Sequence, residues 1–454
     1  MNRFTTIIFT LLVTFLLLSP LALAESNAGD GMAQQELMLT LDKAIKTALA
    51  NNTLIREAIE KQKAAVEEKN SAKADFFPKA FASYSYTNLK EKPYTIFGGS
   101  EIPMGNKDNY HWDVSLVQPI FTGFALSTIH KMAKLGVDLR EMEKKRAILD
   151  ITRQVKVAYF NILLAKKFFA VADEAVKNLE SHVRDAQLFY DQEMIPYNDL
   201  LKPKVALANA VQNRARAETN VDMAVSSLNT LLRLDLNKKT EVEDVSRITP
   251  LSYDLKDLTG EAVRNRPELR ALQIALQNAD NAVRLARSSY YPEVSLIGNY
   301  EQKGDNPGAN NNDYGNRYNA SATMQARWKF FEWGKTKADV KKYLHEKKAL
   351  TEKLKGSRDG IELETKNAFL NLQVSRKNIR TAEESLGQAK ENYRITNLQY
   401  QQQITTSTEV LDARTFLSQA ETNYYGALYG YMISEAELER AVGRGPGNNL
   451  AVKN

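Results

Sequence analysis

No proline interrupts the chain between Pro307 and Pro446, so nothing in that span withholds a backbone N–H or wedges a ring against the preceding helical turn. Within it, residues 335–402 carry small and apolar side chains at alternating steps of three and four: Ile361, Thr365, Ala368, Leu372, Ser375, Ile379, Ala382, Leu386, Ala389, Tyr393, Thr396 and Tyr400. A seven-residue repeat held over about five heptads predicts a coiled-coil helix, not an ordinary globular one. At 1.5 Å per residue such a helix is on the order of 100 Å long. One column of the seam is mostly small (Ile361, Ala368, Ser375, Ala382, Ala389, Thr396) and the other mostly large (Thr365, Leu372, Ile379, Leu386, Tyr393, Tyr400). The same seam stands 210 residues earlier, as Ile151, Ala158, Ala165, Ala172, Leu179, Ala186 against Val155, Ile162, Phe169, Val176, Val183, Tyr190. The rod is present twice. Small residues let helices approach on one side and large ones hold them apart on the other, which favours a curved wall over a solid bundle.

The duplication extends beyond the rods. Phe76-Phe77-Pro78 returns as Tyr290-Tyr291-Pro292, and Asn52 aligns with Arg266, at a constant offset of 214. Each copy reads as a short helix (Leu41–Asn51 in the first), a charged helix (Leu54–Ala74), two strands, a long helix and a shorter return helix. The return helices are expected over Asp199–Leu232 and Glu409–Val442, with Asn198 and Thr408 as N-caps. The first repeat is expected over 25–234 and the second over 258–443, with an irregular linker at 235–257 and a short tail at 444–454. Residues 1–24 combine an early Arg3, an apolar run and an Ala22-Leu23-Ala24 ending, the pattern of a secretory signal.

After each proline the period changes to two, with hairpins expected over 79–121 and 293–331. Ala82, Tyr84 and Tyr86, then Trp112, Val114 and Leu116, share one face; Val294, Leu296, Gly298 and Tyr300 do so in the second copy. The clearest alternation sets Tyr318, Ala320, Ala322, Met324, Ala326 and Trp328 against Asn319, Ser321, Thr323, Gln325, Arg327 and Lys329. Strands of about ten residues, apolar on one face and polar on the other, fit a membrane barrel, with Trp112 and Trp328 as interface anchors. Four strands cannot close one, because the smallest need about eight, and open edges are not tolerated in lipid. Two copies would give a barrel plugged by its own side chains; three give twelve strands and a passage. A homotrimer is therefore expected.

Composition removes other classes. The chain has no cysteine and only four scattered histidines, so neither disulfides nor a metal site is expected, and no cofactor. Its net charge of +6 is spread as interleaved acids and bases along helical faces, which reads as solvated surface and not as a nucleic-acid footprint. No phosphate-binding loop or nucleophilic triad is present, so an enzyme is not expected.

The duplicated proline ends, the junctions Phe121-Thr122-Gly123 and Phe331-Glu332-Trp333-Gly334, the stretch Tyr400–Asp412 and the closing Leu438, Ala441, Val442 and Gly443 resemble the TolC family of outer-membrane efflux proteins over essentially the whole mature length. The resemblance implies a mainly α fold with membrane β structure: a trimeric twelve-stranded β-barrel, four strands per chain, continued by a twelve-helix coiled-coil α-barrel. It implies an exit duct in the outer membrane of a Gram-negative bacterium, reaching into the periplasm and serving a tripartite efflux or type I secretion system. A periplasmic adaptor and an inner-membrane transporter of RND or ABC type would be its partners, with outer-membrane lipid around the barrel. A structural coiled-coil tether or adhesin is the alternative. Glu409 and Asp412, three apart at a helix start, would share a face and form acidic rings at the periplasmic constriction. By resemblance, Tyr400, Thr405, Asn198 and Asp199 belong to the gate, and Glu193, Ile195, Pro196, Gln403 and Ile404 to adaptor-docking tips. Two departures stand out: Thr405 replaces the family's gating arginine, so no charged latch to Asp199 can form, and Glu193 and Gln403 replace the glycines usual at the tip turns. A tip that opens more easily is expected.

Overall fold

The computed structural model describes residues 38–245 and 253–446. The expected signal segment 1–24, part of the 235–257 linker and most of the 444–454 tail lie outside the described residues. Along the chain come α1 (Leu41–Asn51), α2 (Thr53–Ala74), β1 (Lys79–Asn88), β2 (Tyr94–Phe97), β3 (Ser100–Pro103), β4 (Asp108–Thr122), α3 (Ala125–Asp191) and α4 (Tyr197–Leu232). The second copy supplies α5 (Leu255–Asn265), α6 (Pro267–Ser288), β5 (Glu293–Gly304), β6 (Tyr318–Arg327), α7 (Lys335–Gln401) and α8 (Ser407–Val442). Both rods are single helices of 67 residues, the length the unbroken seam demands. A small β2–β3 hairpin sits within the long first loop, where the composition signals only a surface connection.

The sheet is antiparallel in the order β1-β4-β5-β6. Its register joins Tyr84 to Trp112, Val114 to Tyr300, and Tyr300 to Ala320. Directly paired residues share a face, so the apolar sets foreseen on each strand merge into one apolar surface. The opposite surface carries Ser83 bonded to Asp113, and His111 facing Glu301 at 3.2 Å. A bulge between Pro119 and Phe121 shifts the β4 register. The extra residue returns Phe121 to the apolar face opposite Val294, which simple alternation from Leu116 would not do. Within the chain β1 and β6 each pair on one side only.

Helix neighbours follow strand neighbours: α2 packs on α3, α3 on α6 and α6 on α7, while α4 lies along α3 and α8 along both rods. The main core gathers at mid-height around Tyr159, Leu232, Leu258, Tyr429 and Val442. There the linker is tied down by the Tyr159 hydroxyl, whose one proton is shared between the carbonyls of Leu39 at 2.9 Å and Glu243 at 2.8 Å. The seam of α3 is buried at Ile151, Val155, Ala158, Ile162, Val176, Leu179 and Ala186, half-buried at Ala165, Phe169, Ala172 and Val183, and exposed at Tyr190. On α7 Ile379, Leu386 and Ala389 are only half-buried, because α7 is an edge helix with a neighbour missing. Leu363, Val374, Val205 and Met223 stand exposed on α7 and α4. The free apolar flanks thus continue the free strand edges.

Sheet and rod meet at paired left-handed residues, Gly123–Phe124 and Trp333–Gly334. A Cβ on Gly123 would lie 2.4 Å from the Ser288 carbonyl oxygen, so only glycine fits where α6 crosses the junction.

Candidate functional site: the helical tips

The two helical hairpins turn by the same device. Glu193 N–H donates to Tyr190 O at 2.9 Å and Met194 N–H to Phe189 O at 2.8 Å; Gln403 and Ile404 repeat this on Tyr400 and Gln399 at 2.8 and 2.9 Å. These are Schellman closures, whose pivot residue must be left-handed. Glu193 has φ 58° and Gln403 φ 60°, a conformation that costs a side-chain-bearing residue about 1–2 kcal/mol. The missing tip glycines have therefore not altered the turn, only loaded it. Glu193→Gly and Gln403→Gly should each stabilise the chain by about 1 kcal/mol, seen as a higher denaturant midpoint; an unchanged or lower midpoint for both would remove the strain.

The return helices start two residues earlier than expected. Pro196 is the N-cap of α4 and offers no side-chain bond; its ring fixes an extended entry and needs no donor. In α8 the cap is Thr406, whose hydroxyl accepts from Glu409 N–H at 3.4 Å. Asn198 and Thr408 are thus not caps but lie inside the first turns, both exposed. Asp199 and Glu409 do fall in those first turns, where the helix dipole favours acids.

Glu409 and Asp412 are exposed and make no ion pair among the described residues. Asp199 pairs with Lys202 at 3.0 Å, and the same ammonium reaches the Thr408 hydroxyl at 3.3 Å. A lysine thus joins the two hairpins where an arginine at 405 is lacking. At the turns, the Gln403 amide reaches Met194 Sδ at 3.1 Å. Ile195 and Thr405 are half-buried, while Glu193, Pro196, Gln403 and Ile404 are exposed.

Tyr400 is buried within the chain, 3% exposed. Its ring lies 4.6 Å from His182 and 5.5 Å from Phe189, and His182 Nε2 stands 2.8 Å from Ser407 Oγ. Burial pushes the His182 imidazole down to about 4, because a charged ring would lose its hydration there. Reading the chain alone does not single out His182 and Ser407. The one signal for the histidine is spacing: His182 follows Leu179 by three and precedes Ala186 by four, on the buried face. Further up, Arg414 is 3% exposed, and its three guanidinium nitrogens have no hydrogen-bond partner among the described residues. It sits 3.8 Å from Glu421, whose carboxyl burial holds above the ordinary range, and lies over the Tyr393 ring at 5.6 Å.

No group of His, Cys, Asp and Glu among the described residues is arranged to hold a metal. The arrangement instead offers an acidic first turn on α8, a buried aromatic and imidazole wedge behind it, and hydrogen bonds between hairpins.

The family model described as "Outer membrane efflux protein" matches residues 44–232 and again 258–444, once per repeat. The outer membrane protein TolC of Escherichia coli is 20% identical over 446 residues, 94% of this chain and 86% of that one. The efflux pump outer membrane protein TtgC of Pseudomonas putida is 20% identical, covering 89% of this chain and 83% of that one. Among solved structures, the Campylobacter jejuni CmeC outer membrane channel superposes with a TM-score of 0.78 at 17% identity, over 96% of this chain and 95% of its own. With the family model matching both repeats over most of the sequence, the chain belongs to the outer membrane efflux protein family, the TolC family.

Proposed function

We infer that three copies of this chain pool their sheets into a twelve-stranded barrel in the outer membrane and their rods into a tube beneath it, forming the exit duct of an efflux system. The observation that carries this is the four-stranded sheet: one continuous apolar face, one polar face and two unpaired edges. Lipid forbids such edges, and further copies satisfy them. A coiled-coil tether or adhesin would have no need of the sheet.

The duct is passive, and energy comes from a pump. An adaptor protein and an inner-membrane transporter of RND or ABC type would complete the system, with Glu193, Ile195, Pro196, Gln403 and Ile404 at the docking tips. Efflux of small molecules and one-step protein secretion place the same demands on such a wall. Glu409 and Asp412 would ring the mouth, with Tyr400, Thr405, Asn198 and Asp199 in the gate. Their exposure and freedom from ion pairs support a ring that attracts cations. In planar bilayers, Glu409→Ala with Asp412→Ala should weaken block by multivalent cations roughly tenfold. Block at wild-type strength in the double variant would eliminate the ring, while failure of the wild type to conduct at all would eliminate the duct.

A further inference from the structure

Below the sheet, α3 and α6 enclose a cleft of about 410 Å³ lined by Lys131, Lys134, Arg284, Asn281, Asp138 and Asp280, among others. These are the two middle helices of the lateral row, so the cleft lies within one chain and away from the edges where copies meet. Lys131, Lys134 and Arg284 are exposed and form no ion pair among the described residues. Asp280 is already neutralised by Lys347 at 2.6 Å. Asn281 is 8% exposed, and its amide makes no hydrogen bond among the described residues while keeping access to solvent.

The cleft is polarised along the helix axes. Counting from the strand-side ends of α6 and α3, Arg284, Lys131 and Lys134 lie roughly 6, 9 and 14 Å below the junction, and Asp138 roughly 20 Å below. Immediately above is an aromatic cluster: Phe121 packs edge-on against Phe124 at 5.3 Å and Tyr291 at 6.4 Å, and Phe124 meets Tyr291 at 5.7 Å. The β4 bulge puts Phe121 on the apolar face with Val294, which is the lipid face of an outer-membrane barrel. Aromatic rings of this kind mark the edge of the hydrocarbon, and the headgroup layer extends about 5–8 Å beyond it. Arg284 therefore stands at phosphate depth, Lys131 and Lys134 lie beneath it on long stems that lean back towards the helix start, and the free acid is lower still.

We propose that this cleft binds the phosphate of an anionic phospholipid headgroup from the periplasmic leaflet, through Lys131, Lys134 and Arg284, with the Asn281 amide as a further donor. Having no cysteine, the chain carries no thioether-linked lipid, so these are non-covalent contacts that fix its depth. The inference rests on the outer-membrane placement, which the wild-type trimer's conductance in planar bilayers reads separately.

The test is photo-crosslinking of the full-length trimer in phosphatidylcholine nanodiscs doped with a photoactivatable phosphatidylglycerol, followed by peptide mapping. Label is expected on the α3 and α6 segments flanking the cleft. Each cation near an anionic surface is worth roughly fivefold, so K131Q/K134Q/R284Q should lower that label by at least about tenfold. Lys366→Gln with Lys377→Gln, far down α7, should not change it. If the triple variant fails to form trimers, K131Q and R284Q singly carry the test, at about fivefold each. Undiminished label in the variants overturns the proposal, as does equal labelling by a phosphatidylcholine probe. Protection of the cleft by inorganic phosphate with no label from the phosphatidylglycerol probe also overturns it, identifying a free-ion site instead.

Discussion

Replacing Arg266 by alanine should cost about 3 kcal/mol of stability, read as a lower denaturant midpoint for the trimer. Arg266 is 4% exposed and engages Glu364 with both ends of its guanidinium, at 3.0 and 2.9 Å. Its Nε donates to Glu268 at 3.0 Å, and Nη1 also reaches the carbonyls of Arg440 and Ala441, both at 3.2 Å. Arg440 ties the same carboxylates to Asp150, so four helices, α3, α6, α7 and α8, meet on one charge network. Removing Arg266 leaves Glu268 and Glu364 to Arg440 alone and strips the carbonyl end of α8 of its buried donor, a costlier loss than breaking an exposed pair. Arg266→Lys should recover little, since an ammonium cannot make the bidentate contact. The first copy provides an internal control. There Asn52 holds the equivalent place, accepting from Leu54 N–H at 2.9 Å and donating to the Leu231 carbonyl at 3.1 Å. Asn52→Ala should cost only about 1 kcal/mol. If Arg266→Ala were no worse than Asn52→Ala, the charge network would not be what holds the second copy.

Acidification should loosen the tip. His182 titrates at about 4 in the folded chain against 6.5 as a free side chain. The unfolded or opened state therefore binds more protons between those values, and stability falls as pH drops from 6.5 towards 4 and then levels off. The full difference is about 3 kcal/mol. Protonation would place a charge against the Tyr400 ring and Ser407, on a residue 2% exposed whose Nδ1 has no hydrogen-bond partner among the described residues. Channel-open probability should therefore rise as pH falls through this window, and His182→Gln should flatten the profile. The same rise on acidification in His182→Gln would assign the effect to other groups.

Much of this architecture is legible in the chain. Heptads without proline dictate the two rods, and period-two alternation dictates the register of the sheet, since a one-residue slip would turn every apolar side chain to the wrong face. The count of four strands by itself calls for partner copies, because four cannot close on themselves. The helix starts at the tips are harder to read: several polar residues in a row can each serve as a cap, so Asn198 and Thr408 are plausible choices that the fold does not use. The choice falls to Pro196, which fixes the entry of α4, and to Thr406, which bonds back to Glu409. The bulge at Pro119–Phe121 is likewise invisible in the sequence, being a matter of pairing between strands more than 170 residues apart.

The repeated plan, the rods, the two-faced strands and the need for further copies are all written in the chain, because each follows from periodicity along one element. The tertiary structure alone decided what the tips and junctions are made of. His182 against Tyr400, Lys202 bridging to Thr408, Arg266 clamping Glu364, and three cations gathered between α3 and α6 are meetings of residues far apart in the chain. No local pattern encodes them, since burial and pairing at those points depend on how one packed helix is set against the next.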